Sequence, residues 1–272
     1  MNDYLIELEK LSCKIGYKYL SKDITWQVKK GDRWVVFGMN GCGKTTLLSI
    51  VAGFKNFSSG NVKLLGRELS ETTIIQVRKK IGWISASFFD KCYTKESVID
   101  IVLSGKFGTL GLDGTITVKD RKHAMELLLE LGLGRKSEYA FDMLSKGERQ
   151  NVLIARALFS KPEILIMDEP CTGLDIYNRE YLFQTIEKLA ARKNITLIYI
   201  THYVEEISPI FTNCLLLKNG REFIQGNIRE IFTSSILTDF LDHPVELQKR
   251  EDESYQIKVI NITANIIDYI DY

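Results

Sequence analysis

The sequence contains no apolar run approaching the roughly 20 residues needed to span a bilayer. Its N-terminus, Met1-Asn2-Asp3-Tyr4, lacks a basic region followed by an apolar stretch. A cytosolic chain is expected. An excess of one charge is also missing: 36 Lys and Arg stand against 35 Asp and Glu, a formal net charge of +1. Binding to nucleic acid is therefore not expected from charge. The cysteines, Cys13, Cys42, Cys92, Cys171 and Cys214, are odd in number, scattered, and form no C-x-x-C pair. That argues against a disulfide framework and a zinc site and fits a reducing compartment. No repeat shows at periods of about 20 to 50 residues. What is present, 45% hydrophobic and 26% charged residues over 272 positions, is an ordinary globular composition for one large or two small domains.

The most informative stretch is Gly38-Met39-Asn40-Gly41-Cys42-Gly43-Lys44-Thr45-Thr46, which follows the apolar Trp34-Val35-Val36-Phe37 and leads into the helix-patterned residues 47–53. Gly38, Gly43, Lys44 and Thr45 satisfy G-x-x-x-x-G-K-[ST]. Glycines let backbone N–H groups approach phosphate oxygens, and a helix N-terminus adds partial positive charge. Residues Asn40, Gly41, Cys42 and Thr46 fall in the same phosphate cradle. Lys44 is expected to reach the β- and γ-phosphates, and Thr45 to ligate Mg²⁺. Cys42 has two readings: a thiolate stabilised by Lys44 and the helix N-terminus, hence reactive, or a small residue filling an alanine-sized slot.

Ahead of this loop, residues 4–8 and 24–28 read as strands, with Tyr17 and Tyr19 between them. These tyrosines offer either an aromatic face for an adenine ring or half-buried strand side chains. Beyond the loop, residues 61–66 and 81–85 pattern as strands. Residues 97–133 then shift to helical spacing through Val98, Ile101, Val102, Ala124, Leu127, Leu128 and Leu131. Leu144-Ser145-Lys146-Gly147-Glu148 opens an amphipathic helix, with Ser145 and Glu148 placed as a capping box.

Ile164-Leu165-Ile166-Met167-Asp168-Glu169 is an apolar run ending in two carboxylates, the pattern of a strand buried on both faces of a parallel sheet. At such a strand end Asp168 can hold Mg²⁺ while Glu169 polarises the attacking water. A helix over 181–191 and a strand over 195–200, ending at Thr201-His202, continue a β-α-β order. Asn219-Gly220 marks a hairpin. The charge run over 246–253 reads as a solvated linker, and residues 256–272 fit a strand or a helical turn equally.

Over residues 4 to about 232 the chain resembles the ATP-binding cassette family. Leu144-Ser145-Lys146-Gly147-Glu148 resembles its signature motif, 164–169 its Walker B strand, Gly173-Leu174-Asp175 its D-loop, and His202 its switch histidine. The fold implied is α/β: a P-loop NTPase core with a parallel sheet, an N-terminal antiparallel β subdomain and an inserted α-helical subdomain at about 88–160. These make up a domain over 1–235, with a C-terminal extension over 236–272. The resemblance implies a Mg²⁺-dependent ATPase in which a second copy of the chain packs head to tail. Ser145 and Gly147, with Asp175, then close over ATP held by Lys44 of the other copy, and His202 senses the γ-phosphate.

It further implies partner transmembrane subunits and a place on the inner face of the cell membrane. A soluble cassette acting on nucleic acid or a ribonucleoprotein is the alternative. Residues 81–87, 102–107 and 201–207 resemble molybdenum-transport-type ATPases, which implies import.

Three departures stand out. The family's glutamine after the strand at 81–84 is replaced by Ser85-Ala86-Ser87. Lys146 and Glu148 occupy positions where glycine and glutamine are commoner, and are expected to pair. The family's adenine-stacking aromatic falls near Ile15, leaving Tyr17 as the nearest candidate. Phe88, Phe89, Phe107, Leu110 and Leu112 are expected to offer an apolar patch to a membrane subunit.

Overall fold

Alternating apolar and polar residues make β1 (Tyr4–Ile15) and β2 (Lys18–Lys29) a hairpin, with Ile15 opposite Lys18. The turn needs Gly16 at φ +57, which glycine adopts without strain. Ile6, Leu8, Leu11, Ile24, Trp26 and Val28 are buried on one face, as an antiparallel sheet with one covered side requires. The computed structural model describes residues 3–93, 95–191, 195–251 and 253–260. It places β4 (Ser59–Leu64) beside β1 and β5 (Arg67–Glu68) beside β4, in the order β2-β1-β4-β5.

The second sheet is built from β3 (Arg33–Phe37), β6 (Ile81–Ser85), β7 (Ile164–Asp168), β8 (Thr196–Thr201), β9 (Asn213–Lys218) and β10 (Arg221–Asn227). Its order is β10-β9-β3-β8-β7-β6, parallel throughout except where β10 turns back on β9. Every residue of β6, β7 and β8 is buried, the reason these strands are mainly apolar between the polar residues at their ends. Asn219 and Gly220, at φ +52 and +75, make the tight turn between β9 and β10.

Helices α1 (Lys44–Val51) and α2 (Ile74–Arg78) precede β6, while α3 (Ala86–Phe89), α4 (Val98–Ser104), α5 (Val118–Glu130) and α6 (Lys146–Phe159) lie between β6 and β7. α7 (Ile176–Ala190) joins β7 to β8, and α8 (Ile228–Ile231) and α9 (Ser234–Leu241) follow β10. α4, α5 and α6 pack on one another, and α6 packs on β6. Capping boxes Thr117–Asp120 and Ser145–Glu148 fix the starts of α5 and α6. Among the described residues no helix is long and apolar enough to cross a membrane.

The expected boundary at 235/236 falls inside α9, whose Leu237 and Phe240 are buried, the Phe240 and Phe37 ring centroids lying 6.0 Å apart at the end of β3. Two other expectations are refined. The charge run is no linker: β11 (Val245–Lys249) and β12 (Tyr255–Val259) pair antiparallel, and Val245 is buried beside α9. Of the undecided stretch 256–272, residues 256–259 are strand, and 261–272 lie outside the described residues.

The apolar patch is mostly covered. Phe89 is fully buried, and Phe88 lies 4.6 Å from the Trp83 ring and 5.5 Å from that of Phe54. Phe107 is buried too, leaving Leu110 and Leu112 exposed. Aromatic rings next to an all-buried strand stabilise most by packing onto it.

Candidate active site

Three neighbouring parallel strands, β3, β8 and β7, deliver their C-terminal ends to one place, where open α/β sheets bind ligands. After β3 the loop 38–43 turns tightly, with Gly41 at φ +79 and Gly43 at φ +104. A Cβ on Gly38 would lie 2.5 Å from the Leu217 carbonyl oxygen and 2.6 Å from Cys42 Sγ, and one on Gly43 would strike the Leu20 carbonyl. The loop is thus pressed between β9 and β2, and only glycine fits.

Lys44 begins α1 and is buried. Its Nζ donates to the carbonyls of Gly38 (2.7 Å) and Met39 (3.2 Å) and lies 3.4 Å from Glu169 Oε1. The ammonium is therefore held across the mouth of the loop.

Thr45 Oγ1 donates to Asp168 Oδ1 at 3.2 Å, and Ser85 Oγ donates to Asp168 Oδ2 at 3.0 Å. Burial, reinforced by the negative charge of Glu169, pushes the Asp168 pKa up to about 6 against the opposing pull of both hydroxyls and Lys44. A buried carboxylate held by the Thr45 and Ser85 hydroxyls is a hard oxygen donor set suited to Mg²⁺.

Glu169 leaves β7 in the left-handed region at φ +48, its N–H bonded to the Ile200 carbonyl at 3.1 Å. Its Oε1 meets His202 Nδ1 at 3.1 Å. A carboxylate only accepts, so this contact needs the proton on Nδ1.

A cavity of about 220 Å³ opens here, bounded by Thr45, Ser87, Asp168 and Glu169 on the core side and by Lys146 and Gln150 of α6 on the other. Ser87 belongs to the serine segment that stands in for the family's glutamine, whereas Gln150 carries no signal in the sequence, because the approach of α6 to the ends of β6 and β7 is tertiary.

Ser145 and Gly147 lie outside that cavity lining. Ser145 is exposed, and its Oγ accepts the Glu148 N–H at 3.4 Å. A Cβ on Gly147 would lie 2.8 Å from Asn178 Oδ1, and Asn178 in turn donates to Asp175, the N-cap of α7, at 2.8 and 2.7 Å. The signature-like and D-loop-like segments therefore meet within one chain.

Lys146 and Glu148 do not pair. Glu148 accepts from Lys136 at 2.6 Å, while the Lys146 side chain lies over Gly173. The capping box turns Glu148 back toward Ser145, away from its neighbour.

Tyr17 lies between β1 and β2 and is fully exposed, whereas Tyr19 is a residue of β2, 43% exposed. Both rings stand beside Lys14, on the hairpin whose Leu20 carbonyl abuts Gly43.

Cys42 corrects the reactive-thiolate expectation. Its side chain is buried, and burial outweighs Lys44 to push the thiol pKa up. The sulfur fills the space against Gly38. Its backbone still belongs to the loop.

The sequence profile of the ABC transporter family matches residues 21–172. An ABC transporter ATP-binding protein of Bacillus subtilis, YlmA, is 39% identical over 261 residues, covering 95% of this chain and 99% of its own. The chain belongs to the ABC transporter family. The molybdate import ATP-binding protein MolC of Haemophilus influenzae is 32% identical, covering 87% of this chain and 88% of its own.

Among solved structures, cbiO1 of Clostridium perfringens, part of the ABC transporter complex cbiONQ, aligns with a TM-score of 0.71 at 26% identity, covering 89% of this chain and 95% of that one. A dimeric bacterial ABC transporter cassette aligns at 0.72 and 25% identity, covering 82% and 99%. The same cassette in a dimeric post-hydrolysis state bound to ADP and phosphate aligns at 0.71 and 25% identity, covering 82% and 99%. This ABC protein binds ATP and Mg²⁺ and hydrolyses ATP on an α/β P-loop fold.

Proposed function

We propose that this chain is the ATPase subunit of an importer, working as a head-to-tail homodimer with ATP at the interface, on the inner face of the cell membrane beneath transmembrane subunits. The observation that carries the catalytic part is the double contact at one oxygen: Glu169 Oε1 lies 3.1 Å from His202 Nδ1 and 3.4 Å from Lys44 Nζ.

In this reading the loop amides of 38–46 and Lys44 bind the phosphates. Glu169 takes the proton of the attacking water, and His202 orients Glu169 and meets the γ-phosphate. Thr45 and Asp168 hold Mg²⁺, which when bound neutralises charge on the β- and γ-phosphates. Tyr17, exposed on the hairpin beside the loop, supplies the adenine-facing ring.

The exposed Ser145, with Gly147 and Asp175, completes the site of the partner copy, a reading supported by the dimeric cassette. Import is supported by the likeness to MolC, and membrane partners by the likeness to cbiO1. The cassette proper is proposed over 1–235, with 88–160 as its helical insertion and 236–272 as an extension. Because α9 straddles residue 235, that extension is rooted in the core.

Glu169→Gln should keep ATP binding and lose turnover, and light scattering should show it shifting from monomer to dimer when ATP is added. Lys44→Ala should bind no ATP. A Glu169→Gln protein with the wild-type rate would sink the assignment of the base.

A further inference from the structure

Four residues past His202, in the turn that follows β8, lies a second buried carboxylate. Glu206 is 4% exposed. Its Oε2 accepts two hydroxyls, from Thr201 at 2.7 Å and from Tyr199 at 3.0 Å.

Each hydroxyl reaches onward. Thr201 Oγ1 accepts the backbone N–H of Tyr203 at 2.9 Å, so the residues on both sides of His202 are pinned to one oxygen. Tyr199 OH meets Cys171 Sγ at 3.3 Å, in the loop two residues past Glu169. The end of β8, the turn that carries His202 and the loop after Glu169 are thereby tied together.

We propose that Glu206 is a positioning residue for hydrolysis, fixing the His202 ring against Glu169 by clamping the turn 201–206. The inference rests on the roles of Glu169 and His202 given under Proposed function.

A buried charged side chain is costly unless it is hydrogen-bonded. Apolar residues would hold the turn as well if stability were all that mattered, since the Val204 and Ile207 side chains are buried beside it. What they cannot supply is direction. One oxygen accepting from two fixed hydroxyls sets the turn to within a hydrogen bond's tolerance, while apolar packing lets it slide. A displacement of about 1 Å at a catalytic group can cost about 10²-fold in rate. β12 covers the same turn from outside, packing against Val204–Glu206.

The test compares Glu206→Ala, Glu206→Gln, Tyr199→Phe, His202→Ala and Glu169→Gln in the full chain. ATP affinity, kcat and the histidine ring signals in NMR are measured, with His202 assigned by its loss in His202→Ala. Glu206→Ala should lower kcat about tenfold or more, with ATP affinity within about twofold, and move the His202 signal.

Glu206→Gln, whose amide oxygen can accept both hydroxyls, should recover most of the rate and the wild-type His202 signal. Should Glu206→Ala fail to fold, Tyr199→Phe carries the same test, since it removes the hydroxyl that joins Glu206 to Cys171 and leaves the Thr201 bond to Glu206 in place: kcat should fall and the His202 signal shift with binding retained. Unchanged kcat, an unmoved His202 signal, or equal losses of kcat and affinity in the folded variants would overturn the inference. If instead His202→Ala and Glu169→Gln keep the wild-type rate, the catalytic reading itself fails, whatever Glu206 does.

Discussion

Ser85 and Asp168 are paired in register at the ends of the adjacent parallel strands β6 and β7, with the serine hydroxyl 3.0 Å from the carboxylate. The position after the strand at 81–84, where the family usually has a glutamine, thus holds a short side chain bound to the metal-side carboxylate. Removing that hydroxyl in Ser85→Ala forfeits about 1 kcal/mol, and the Mg²⁺ needed for half-maximal ATPase should rise about fivefold. An unchanged Mg²⁺ dependence would show that the hydroxyl does not orient Asp168. Ser85→Gln, at a fully buried position, should destabilise by about 1–3 kcal/mol, whereas Ser87→Gln, on the cavity rim, should not.

Asp168 itself should be a stability cost when no metal is bound. Its folded-state pKa of about 6 lies above the ordinary 3.8, so the folded protein holds this proton more tightly than the unfolded chain does. The stability it contributes is full below about pH 4 and is lost as pH rises through 6. In Mg²⁺-free buffer Asp168→Asn should therefore be more stable than wild type at pH 8, by up to about 3 kcal/mol, with the gap closing toward pH 4. Urea melts at the two pH values decide it, and equal stability at pH 8 would contradict the burial argument.

The glycines of the phosphate loop should differ in their tolerance of a methyl group. Gly41, at φ +79 with nothing near its Cβ position, incurs only backbone strain in Gly41→Ala, about 1–2 kcal/mol. Gly43→Ala adds a collision with the Leu20 carbonyl and should cost more while also weakening ATP binding. Denaturant unfolding of both variants tests the order, and a smaller loss for Gly43→Ala would reverse the account.

Cys42 should react slowly. Its thiol is buried and its pKa raised, so alkylation at pH 7.5 should lag well behind that of a free thiol peptide, and Cys42→Ala should retain ATP binding. Rapid labelling of Cys42 in the folded protein would restore the thiolate reading set aside above.

Local spacing determined a good deal. The glycines and Lys44 declare a phosphate loop because the chemistry of close backbone approach needs them within a few residues of one another. The apolar run into Asp168-Glu169 declares a strand end, and Ser145 with Glu148 a helix start, since caps are settled within one turn.

Contacts between distant segments were left to the tertiary structure, because no local pattern encodes which strand ends become neighbours. β8 lies between β3 and β7, and only that order sets His202 against Glu169 and Lys44 at one oxygen. The same holds for Ser85 on Asp168, for Glu148 with Lys136, and for Lys146 over Gly173. Burial had the last word where local chemistry pointed elsewhere. It raised the Cys42 thiol despite Lys44, covered Phe88 and Phe89 with Trp83 and Phe54, and turned a charged stretch into the hairpin β11–β12 by seating Val245 beside α9.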